Sequence, residues 1–579
     1  MTTVKSAVRT WLACVSVLAL VCLLVPLRAS AQSAKPFPPV FNVPDIVNPN
    51  ETELQRETHF LTFLGSFVPQ DATDGRAYYA AIDPNNTKAT FQDWLVNAGF
   101  ISDKSQWHAF GPQKFACNLP GCDYPAGTYG DNIINTDAHV IVLNAADLGF
   151  VRNQFIRCSP SCAAPNPKIY TYLENYPVAA FAAGGSNFES QSPTLTSSAY
   201  PLQSEAAAAM NSAINRPLGL APFDPTISLD PTKAAVCAPA TAGCLDRIAD
   251  VAFEWAPPAL NPTSSSRFGQ LYAYQFFPGP NNAITETVNF ASELVGNASV
   301  TDQKTGLPVT IAAGDKFAPN LDFIGFKQHP DVCLTCHGGA PQKLTSTGAF
   351  PHGGNINGFR FLPLDNNNLL FSSDSGPEPT SRANQEAAIK VYNQEVLLTV
   401  PKYAEGDGTG STRVAHLRTV ITGWYSSGTS NYSDDQSMSG TTQKTGWIPP
   451  GWRDVTHGGT APVGAETVYT NVLSPSCRSC HFNREISLDF GTYANFHQDS
   501  DLKELALMPQ CKQNSSTATD LPDKGGRYMP LAHLTYERFW QTQGGPVQLG
   551  NITLDHEVDR LARDFGYSAG VSGYCATNP

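Results

Sequence analysis

The sequence predicts an α+β fold, in which a mixed α and β region at residues 32–324 precedes a mainly α-helical region with long loops at 325–579. Two observations favour this division. Before residue 325, apolar runs typical of β-strands accompany short amphipathic helices. After it, apolar residues recur at helical spacing, and stretches rich in Gly, Ser, Thr and Asn, such as 426–444, separate the helices.

The individual elements follow from the period of the apolar residues. In the N-terminal region, helices are predicted over 51–67, 90–100 and 204–216, and strand-like runs lie within 138–148, 168–173 and 270–277. In the C-terminal region, helices are predicted over 383–397, 412–424 and 553–565.

Residues 1–31 have the composition of a secretory signal peptide. Two basic residues precede an almost unbroken apolar run at 11–27, and Ala29-Ser30-Ala31 has the small side chains that signal peptidase reads. The run is long enough to anchor marginally in a bilayer. Cleavage before Gln32 is favoured because a polar, Pro-rich stretch follows. The sequence therefore predicts a periplasmic or secreted protein with no membrane span after cleavage.

The expected mature chain is acidic. Cleavage removes Lys5, Arg9 and Arg28 but no acidic residue, which leaves 34 basic and 50 acidic residues and a net charge of −16. Such a surface repels nucleic acid and favours basic partners, although solubility after export is a simpler reason for the same composition. No nucleic-acid partner is predicted.

Twelve cysteines remain after cleavage, and four of them belong to two Cys-x-x-Cys-His motifs. The other eight form an even set in a chain predicted to enter an oxidising compartment, which favours disulfides. Sequence alone does not fix their connectivity. Close spacing favours the pairs Cys117–Cys122, Cys158–Cys162 and Cys237–Cys244, which leaves Cys511–Cys575. The N-terminal region is therefore expected to be stapled by disulfides.

The two motifs are Cys333-Leu-Thr-Cys336-His337 and Cys477-Arg-Ser-Cys480-His481. Two thiols at this spacing can add to the vinyl groups of one haem, and the adjacent histidine then reaches the iron as an axial ligand. A redox dithiol would not need the histidine. In zinc sites, the two Cys-x-x-Cys pairs lie much closer together in the sequence than they do here. The sequence therefore predicts two covalently bound haem c groups, in a first haem domain at 325–465 and a second at 466–579.

The ligand on the other side of each iron must come from elsewhere in the chain. For the second haem, Met529 in a Met-Pro dipeptide lies 48 residues beyond the motif histidine and is favoured over Met508. For the first haem, His352 is the leading candidate, with His329 and Met438 as alternatives. Packing or surface roles are open for all of these residues. If none binds, the first iron keeps an open position, as an enzyme would require.

With its two motifs and one Met-Pro dipeptide, the C-terminal half resembles dihaem c-type cytochromes. The separation of the motifs is similar to that in the bacterial dihaem cytochrome c peroxidase and MauG-like group, where one haem shuttles electrons and the other meets peroxide. The large N-terminal region is more similar to that of the rubber oxygenases, which are secreted dihaem relatives. Segments 147–152, 333–339 and 477–481 resemble a group of large bacterial cytochrome c proteins without an assigned function.

Two function classes follow. The first is an exported electron-transfer cytochrome with protein redox partners as donor and acceptor. The alternative is a dihaem oxidoreductase, peroxidase- or oxygenase-like, with an open first haem, and a redox sensor is a third hypothesis with no sequence feature of its own. Trp424, Trp447 and Trp452 lie between the motifs and could assist electron transfer, although aromatic packing is the commoner role.

Overall fold

The fold is known from a computed structural model, which describes part of the chain. The described residues are 79, 82–103, 135–144, 151–176, 249–257, 259, 261–264, 267–278, 284–286, 298–301, 308–311, 333, 336–337, 360–377, 380–400, 412–481, 490–498, 547–549, 552–554, 561 and 564. Outside them lie the predicted signal peptide at 1–31, the predicted helices at 51–67 and 204–216, and the predicted pairs Cys117–Cys122, Cys237–Cys244 and Cys511–Cys575. Among the described residues, no helix is long and apolar enough to cross a membrane.

Strands and helices both occur in the described residues. The strands are β1 (Ala138–Asn144), β2 (Val151–Ser159), β3 (Lys168–Tyr176), β4 (Ala249–Ala256), β5 (Phe268–Pro278), β6 (Ile284–Glu286), β7 (Ala298–Thr301), β8 (Pro308–Ile311), β9 (Leu369–Leu370), β10 (Val547–Leu549) and β11 (Ile552–Leu554). The helices are α1 (Phe91–Ala98), α2 (Arg382–Thr399), α3 (Thr412–Trp424), α4 (Ala465–Val468), α5 (Arg478–His481) and α6 (Tyr493–Gln498), with a π-helix at Tyr469–Cys477 between α4 and α5.

The main sheet has seven strands in the order β6-β5-β4-β3-β2-β1-β9. Strands β1 to β6 form an antiparallel meander, and β9 pairs antiparallel with the free edge of β1. Two separate hairpins pair β7 with β8 and β10 with β11. The predicted mixture of α and β structure is confirmed.

Helix α1 covers one face of this sheet through aromatic rings. Thr90 begins the helix with a capping box, since its hydroxyl accepts from the Asp93 amide at 3.1 Å and the Asp93 carboxylate accepts in return. Trp94 and Tyr172 of β3 are both fully buried, with ring centroids 6.1 Å apart in an edge-to-face arrangement. Burial of such large rings stabilises the packing of α1 against the sheet.

Helix α2 packs against β1 and β2. It also covers the part of the β1 edge that β9 does not reach. Strand β9 pairs with only the last two residues of β1, Leu143 and Asn144. Nearer the start of β1, the side chain of Gln385 accepts from the Ile141 amide at 2.6 Å and donates to the Ile141 carbonyl at 2.8 Å. One carboxamide therefore satisfies both backbone groups of a residue that β9 does not reach.

The buried core contains residues from both sides of position 324. Phe361 and Leu364, with β9, α2 and α3, belong to the same apolar cluster as the rings around α1. Asn393 of α2 fixes this part of the chain, because its side chain accepts from the Leu364 amide at 2.7 Å and donates to the Leu364 carbonyl at 2.9 Å. The domain boundaries themselves stay predictions.

Most of the predicted elements in the described residues are confirmed. The helices at 90–100, 383–397 and 412–424 correspond to α1, α2 and α3, and the runs at 138–148, 168–173 and 270–277 contain or lie within β1, β3 and β5. The predicted pair Cys158–Cys162 is a disulfide. In 325–579, the described residues include strands β9 to β11 as well as helices α2 to α6.

The predicted helix at 553–565 is wrong at its start. Thr553 and Leu554 belong to β11, whereas Leu561 and Asp564 are helical. The sequence Gly550-Asn551 separates β10 from β11, and a Gly-Asn pair between strand-forming residues favours a two-residue hairpin. The turn chemistry outweighed the helical spacing used for the prediction.

Candidate functional site

Within the first motif, Cys333, Cys336 and His337 are described, and all three are helical. Positions i, i+3 and i+4 of a helix face the same side. The two thiols and the imidazole therefore face the same side of the helix, as attachment to a single haem would require. Neither cysteine takes part in a disulfide, and Cys333 packs against the apolar core.

The imidazole of His337 is held by the peptide groups around Arg360. Its Nδ1 lies 2.9 Å from the Arg360 carbonyl, and the Arg360 amide donates to the His337 carbonyl at 2.8 Å. A nitrogen that faces a carbonyl oxygen must carry the proton, which assigns the lone pair of the neutral ring to Nε2. Burial lowers the pKa of His337 to about 4, against the opposing effect of the Arg360 carbonyl, so the ring is neutral at pH 7.

The sheet contributes the surface on which this histidine rests. The ring of Phe253 on β4 lies 4.5 Å from the His337 ring, centroid to centroid, and Phe361 packs edge-on against Phe253 at 5.9 Å. Phe253 pairs with Thr171 across β3 and β4, so the two side chains share the sheet face on which Thr171 contacts Tyr392 of α2 at 3.1 Å. The N-terminal sheet thus builds part of the first motif's environment.

The second motif lies at the end of the π-helix and in α5. Pro475 falls inside the π-helix, whose wider turn accommodates a residue that lacks an amide and clashes in an α-helix. Cys477 is buried and outside any disulfide. The backbone of Cys480 is helical, while its side chain is outside the described part.

A phenylalanine lies on the histidine of the second motif as well. The ring centroids of His481 and Phe490 are 4.3 Å apart with an interplanar angle of 32°, close to the 33° between His337 and Phe253. The carbonyl of Phe490 accepts from the indole N–H of Trp452 at 2.7 Å. In both sites a phenylalanine ring therefore lies against the motif histidine, from a strand in the first site and from a loop in the second.

Arg478, inside the second motif, forms a buried ion pair that sequence reasoning missed. It is fully buried, and its Nε and Nη2 donate to the two carboxylate oxygens of Asp365 at 2.8 and 2.6 Å. Burial alone would lower the pKa of the guanidinium, but the nearby Asp365 carboxylate, with help from Tyr469, raises it overall. Arg478 is therefore charged at any physiological pH.

One stretch of chain reaches both motifs. We call residues 360–368 the connecting segment: it begins at Arg360, which holds His337, and contains Asp365, which holds Arg478. It ends at Asn368, whose side chain donates to the carbonyl of Ser474 in the π-helix at 3.0 Å. The two motifs, 144 residues apart in sequence, are thus joined in space.

The three tryptophans between the motifs are fully buried or nearly so. Trp447 donates to the carbonyl of Ser433 at 2.9 Å, and its ring packs against Gly423 of α3. Trp452 contacts the rings of Tyr469 and Phe496, with centroids 5.3 and 5.1 Å away. Their burial agrees with a packing role, and a part in electron transfer stays a prediction.

The predicted distal ligands are only partly placed. Met529, His352, Met508 and His329 lie outside the described residues. Met438 is described; it lies in the apolar core with a φ of 53°. Its position there suits gap filling, the usual role of methionine in a core.

Two further groups of ligand-type side chains occur in the described residues. The first contains Asp137 and Glu395 beside Cys158 and Cys162, but the disulfide removes both thiolates as metal ligands. The second contains Asp454, His457 and Glu466.

In the second group, the His457 Nδ1 lies 3.1 Å from a Glu466 oxygen and 3.4 Å from an Asp454 oxygen. The carboxylate of Asp454 also accepts from the Thr456 amide at 3.0 Å. These contacts fix the loop, which explains why the three side chains lie together.

In comparisons with protein-family models, curated proteins and solved structures, nothing matches this chain. The resemblance to dihaem cytochromes therefore stays a prediction that rests on the two motifs.

Proposed function

We propose that this protein is an exported dihaem c-type cytochrome whose function is electron transfer. The observation that carries the proposal is the 2.9 Å contact between the His337 Nδ1 and the Arg360 carbonyl. A histidine that ligates a metal through Nε2 usually donates its other ring N–H to a carbonyl or carboxylate, which fixes the tautomer and the ring orientation. The first motif has this arrangement together with two thiols outside disulfides.

The residues of each motif would have distinct roles. Haem would be attached through the thiols of Cys333 and Cys336 in the first site and Cys477 and Cys480 in the second. His337 and His481 would each bind a haem iron, and Met529 and His352 are the proposed further iron ligands. Haem c supplies a one-electron couple, whose potential depends on axial ligands, hydrogen bonds and burial. Phe253 and Phe490 would help to exclude water from the histidine sides.

The connecting segment favours exchange of electrons between the two sites. Asp365 lies five positions after Arg360, and an extended chain of that length spans at most about 18 Å. Since Arg360 holds His337 and Asp365 holds Arg478, the two motifs lie close together. This closeness supports a protein in which two redox centres work together.

Export and partner choice remain part of the proposal. The composition of residues 1–31 and the disulfide between Cys158 and Cys162 both favour an oxidising compartment, periplasmic or extracellular. The partners would be redox proteins, and the acidic chain favours partners with basic docking surfaces.

The attachment of haem is tested by expressing the full chain with haem-maturation machinery and measuring haem per polypeptide. We expect two covalent haems. The double variants Cys333→Ala/Cys336→Ala and Cys477→Ala/Cys480→Ala should each retain one, and Cys158→Ser/Cys162→Ser should retain both. A wild-type chain without covalent haem contradicts the proposal.

Optical and EPR spectra of the oxidised and half-reduced protein separate electron transfer from the oxidoreductase alternative. Two six-coordinate, low-spin irons that do not react with peroxide agree with electron transfer. A high-spin iron that reacts with peroxide or oxygen identifies an enzyme. Loss of a methionine–iron absorption band in Met529→Ala would identify the second haem's distal ligand.

A further inference from the structure

Arg478 carries a charge without contact to solvent. It occupies the position after Cys477 in the second motif, and its exposed fraction is 0 %. Asp365 accepts two hydrogen bonds from it, the Tyr469 hydroxyl lies 3.1 Å from Nη1, and the Trp424 ring centroid lies 5.2 Å from the guanidinium carbon. In the part of the chain that the structure describes, the Asp365 carboxylate, itself 4 % exposed, is an anionic group that balances this charge.

This charge lies beside the predicted attachment point of the second haem. Adjacent Cα atoms are about 3.8 Å apart, so the guanidinium of Arg478 is within roughly 10 Å of the backbone of Cys477. Water and salt screen buried charges far less than exposed ones. A change in charge at Asp365 or Arg478 would therefore act on a nearby redox centre with little attenuation.

We propose that Asp365 is a positioning residue for the second haem: by neutralising Arg478 it holds the midpoint potential of that haem below the value set by an uncompensated arginine. The inference rests on the proposed function. Asp365 acts through Arg478, and Asn368 supports the same geometry by its bond to Ser474. Reduction adds one negative charge to the haem, so an unbalanced positive charge nearby favours the reduced form.

The test is a spectroelectrochemical titration of the full-length dihaem protein. Asp365→Asn preserves the shape of the side chain but removes its charge. A unit charge at roughly 10 Å, in an effective dielectric of about 20, changes an equilibrium by about tenfold or more. We therefore expect the ratio of reduced to oxidised second haem, at fixed ambient potential, to rise about tenfold in Asp365→Asn, which corresponds to about 59 mV.

Arg478→Gln gives a prediction of the opposite sign. It leaves the Asp365 carboxylate unbalanced, so at pH 8 the same ratio should fall below that of the wild type. The double variant Asp365→Asn/Arg478→Gln removes both charges and should return the potential towards the wild-type value. A residue with a purely structural role would not produce shifts of opposite sign that cancel.

Asp434→Asn is the matched control, because it also removes a carboxylate that accepts two hydrogen bonds from an arginine, Arg453. Asp434 is 61 % exposed, so solvent screens the change and the potentials should stay unchanged.

If Asp365→Asn does not retain the second haem, the inference is tested by the sign of the potential shift in Arg478→Gln. Unchanged potentials in a haem-loaded variant, or loss of the second haem in both single variants, would overturn the inference. Wild-type protein without haem would instead overturn the proposed function itself.

Discussion

Glu395 on α2 gives a prediction about the pH dependence of stability. Its side chain is only 2 % exposed and lies beside Asp137. Burial, aided by the charge of Asp137 and opposed by Arg157, raises the pKa of Glu395 from 4.5 to about 9. In the folded protein at pH 7 the carboxyl group is therefore protonated, whereas in the unfolded chain it is ionised.

The sign of the effect follows from proton binding. Above pH 4.5 the unfolded chain releases a proton that the folded protein keeps, so the free energy of unfolding falls as the pH rises towards 9. One pKa unit corresponds to about 1.4 kcal/mol, which gives a loss of at most about 3.5 kcal/mol at pH 7. Between pH 5.5 and 8.5 the wild type should lose at most about 4 kcal/mol through this group.

Glu395→Gln replaces the protonated carboxyl with a neutral group of the same size. The variant should therefore lose this contribution to the pH dependence and should be more stable than the wild type at pH 8.5. The measurement is urea unfolding at pH 5.5 and 8.5, with Asp374→Asn, at an exposed position, as control. Equal pH dependence in the wild type and Glu395→Gln would refute the reasoning.

Two further predictions concern packing and backbone satisfaction. Gln385→Leu should lower the free energy of unfolding by about 2–4 kcal/mol, measured by urea unfolding, because it leaves the buried amide and carbonyl of Ile141 without their partner; an unchanged midpoint would contradict the role of Gln385 at the sheet edge. Gly423→Ala should lower the free energy of unfolding by about 1–3 kcal/mol and lower the melting temperature, because a Cβ there would overlap atoms of the Trp447 ring. A variant with the same melting temperature as the wild type would show that Gly423 and the Trp447 ring are not in close contact.

Local sequence was enough to predict the elements whose stability is local. Helix α1 was predictable because Thr90 and Asp93 form its capping box within four residues, and α2 and α3 because their apolar positions repeat at helical spacing. The Cys158–Cys162 disulfide was predictable for a similar reason, since only three residues separate its cysteines.

Strand β2 was missed because its polar residues do not look like a buried strand. Arg152, Asn153, Gln154 and Arg157 interrupt the apolar pattern, yet Asn153 has an exposed fraction of 0 %. Its side chain donates to the carboxylate of Glu174 on β3 at 3.0 Å. A hydrogen-bond partner on the neighbouring strand offsets the free-energy cost of burying Asn153. A short window of sequence around Asn153 does not reveal that partner.

By itself, the sequence determined which reactive side chains the candidate site contains, because the spacing of two cysteines and a histidine is a property of five consecutive residues. Only the tertiary structure decided what surrounds them. The group that orients His337 is a backbone carbonyl, which every residue has and no sequence pattern marks. The pairing of Asp365 with Arg478 joins residues 113 positions apart, and burial in a common core makes that single contact specific.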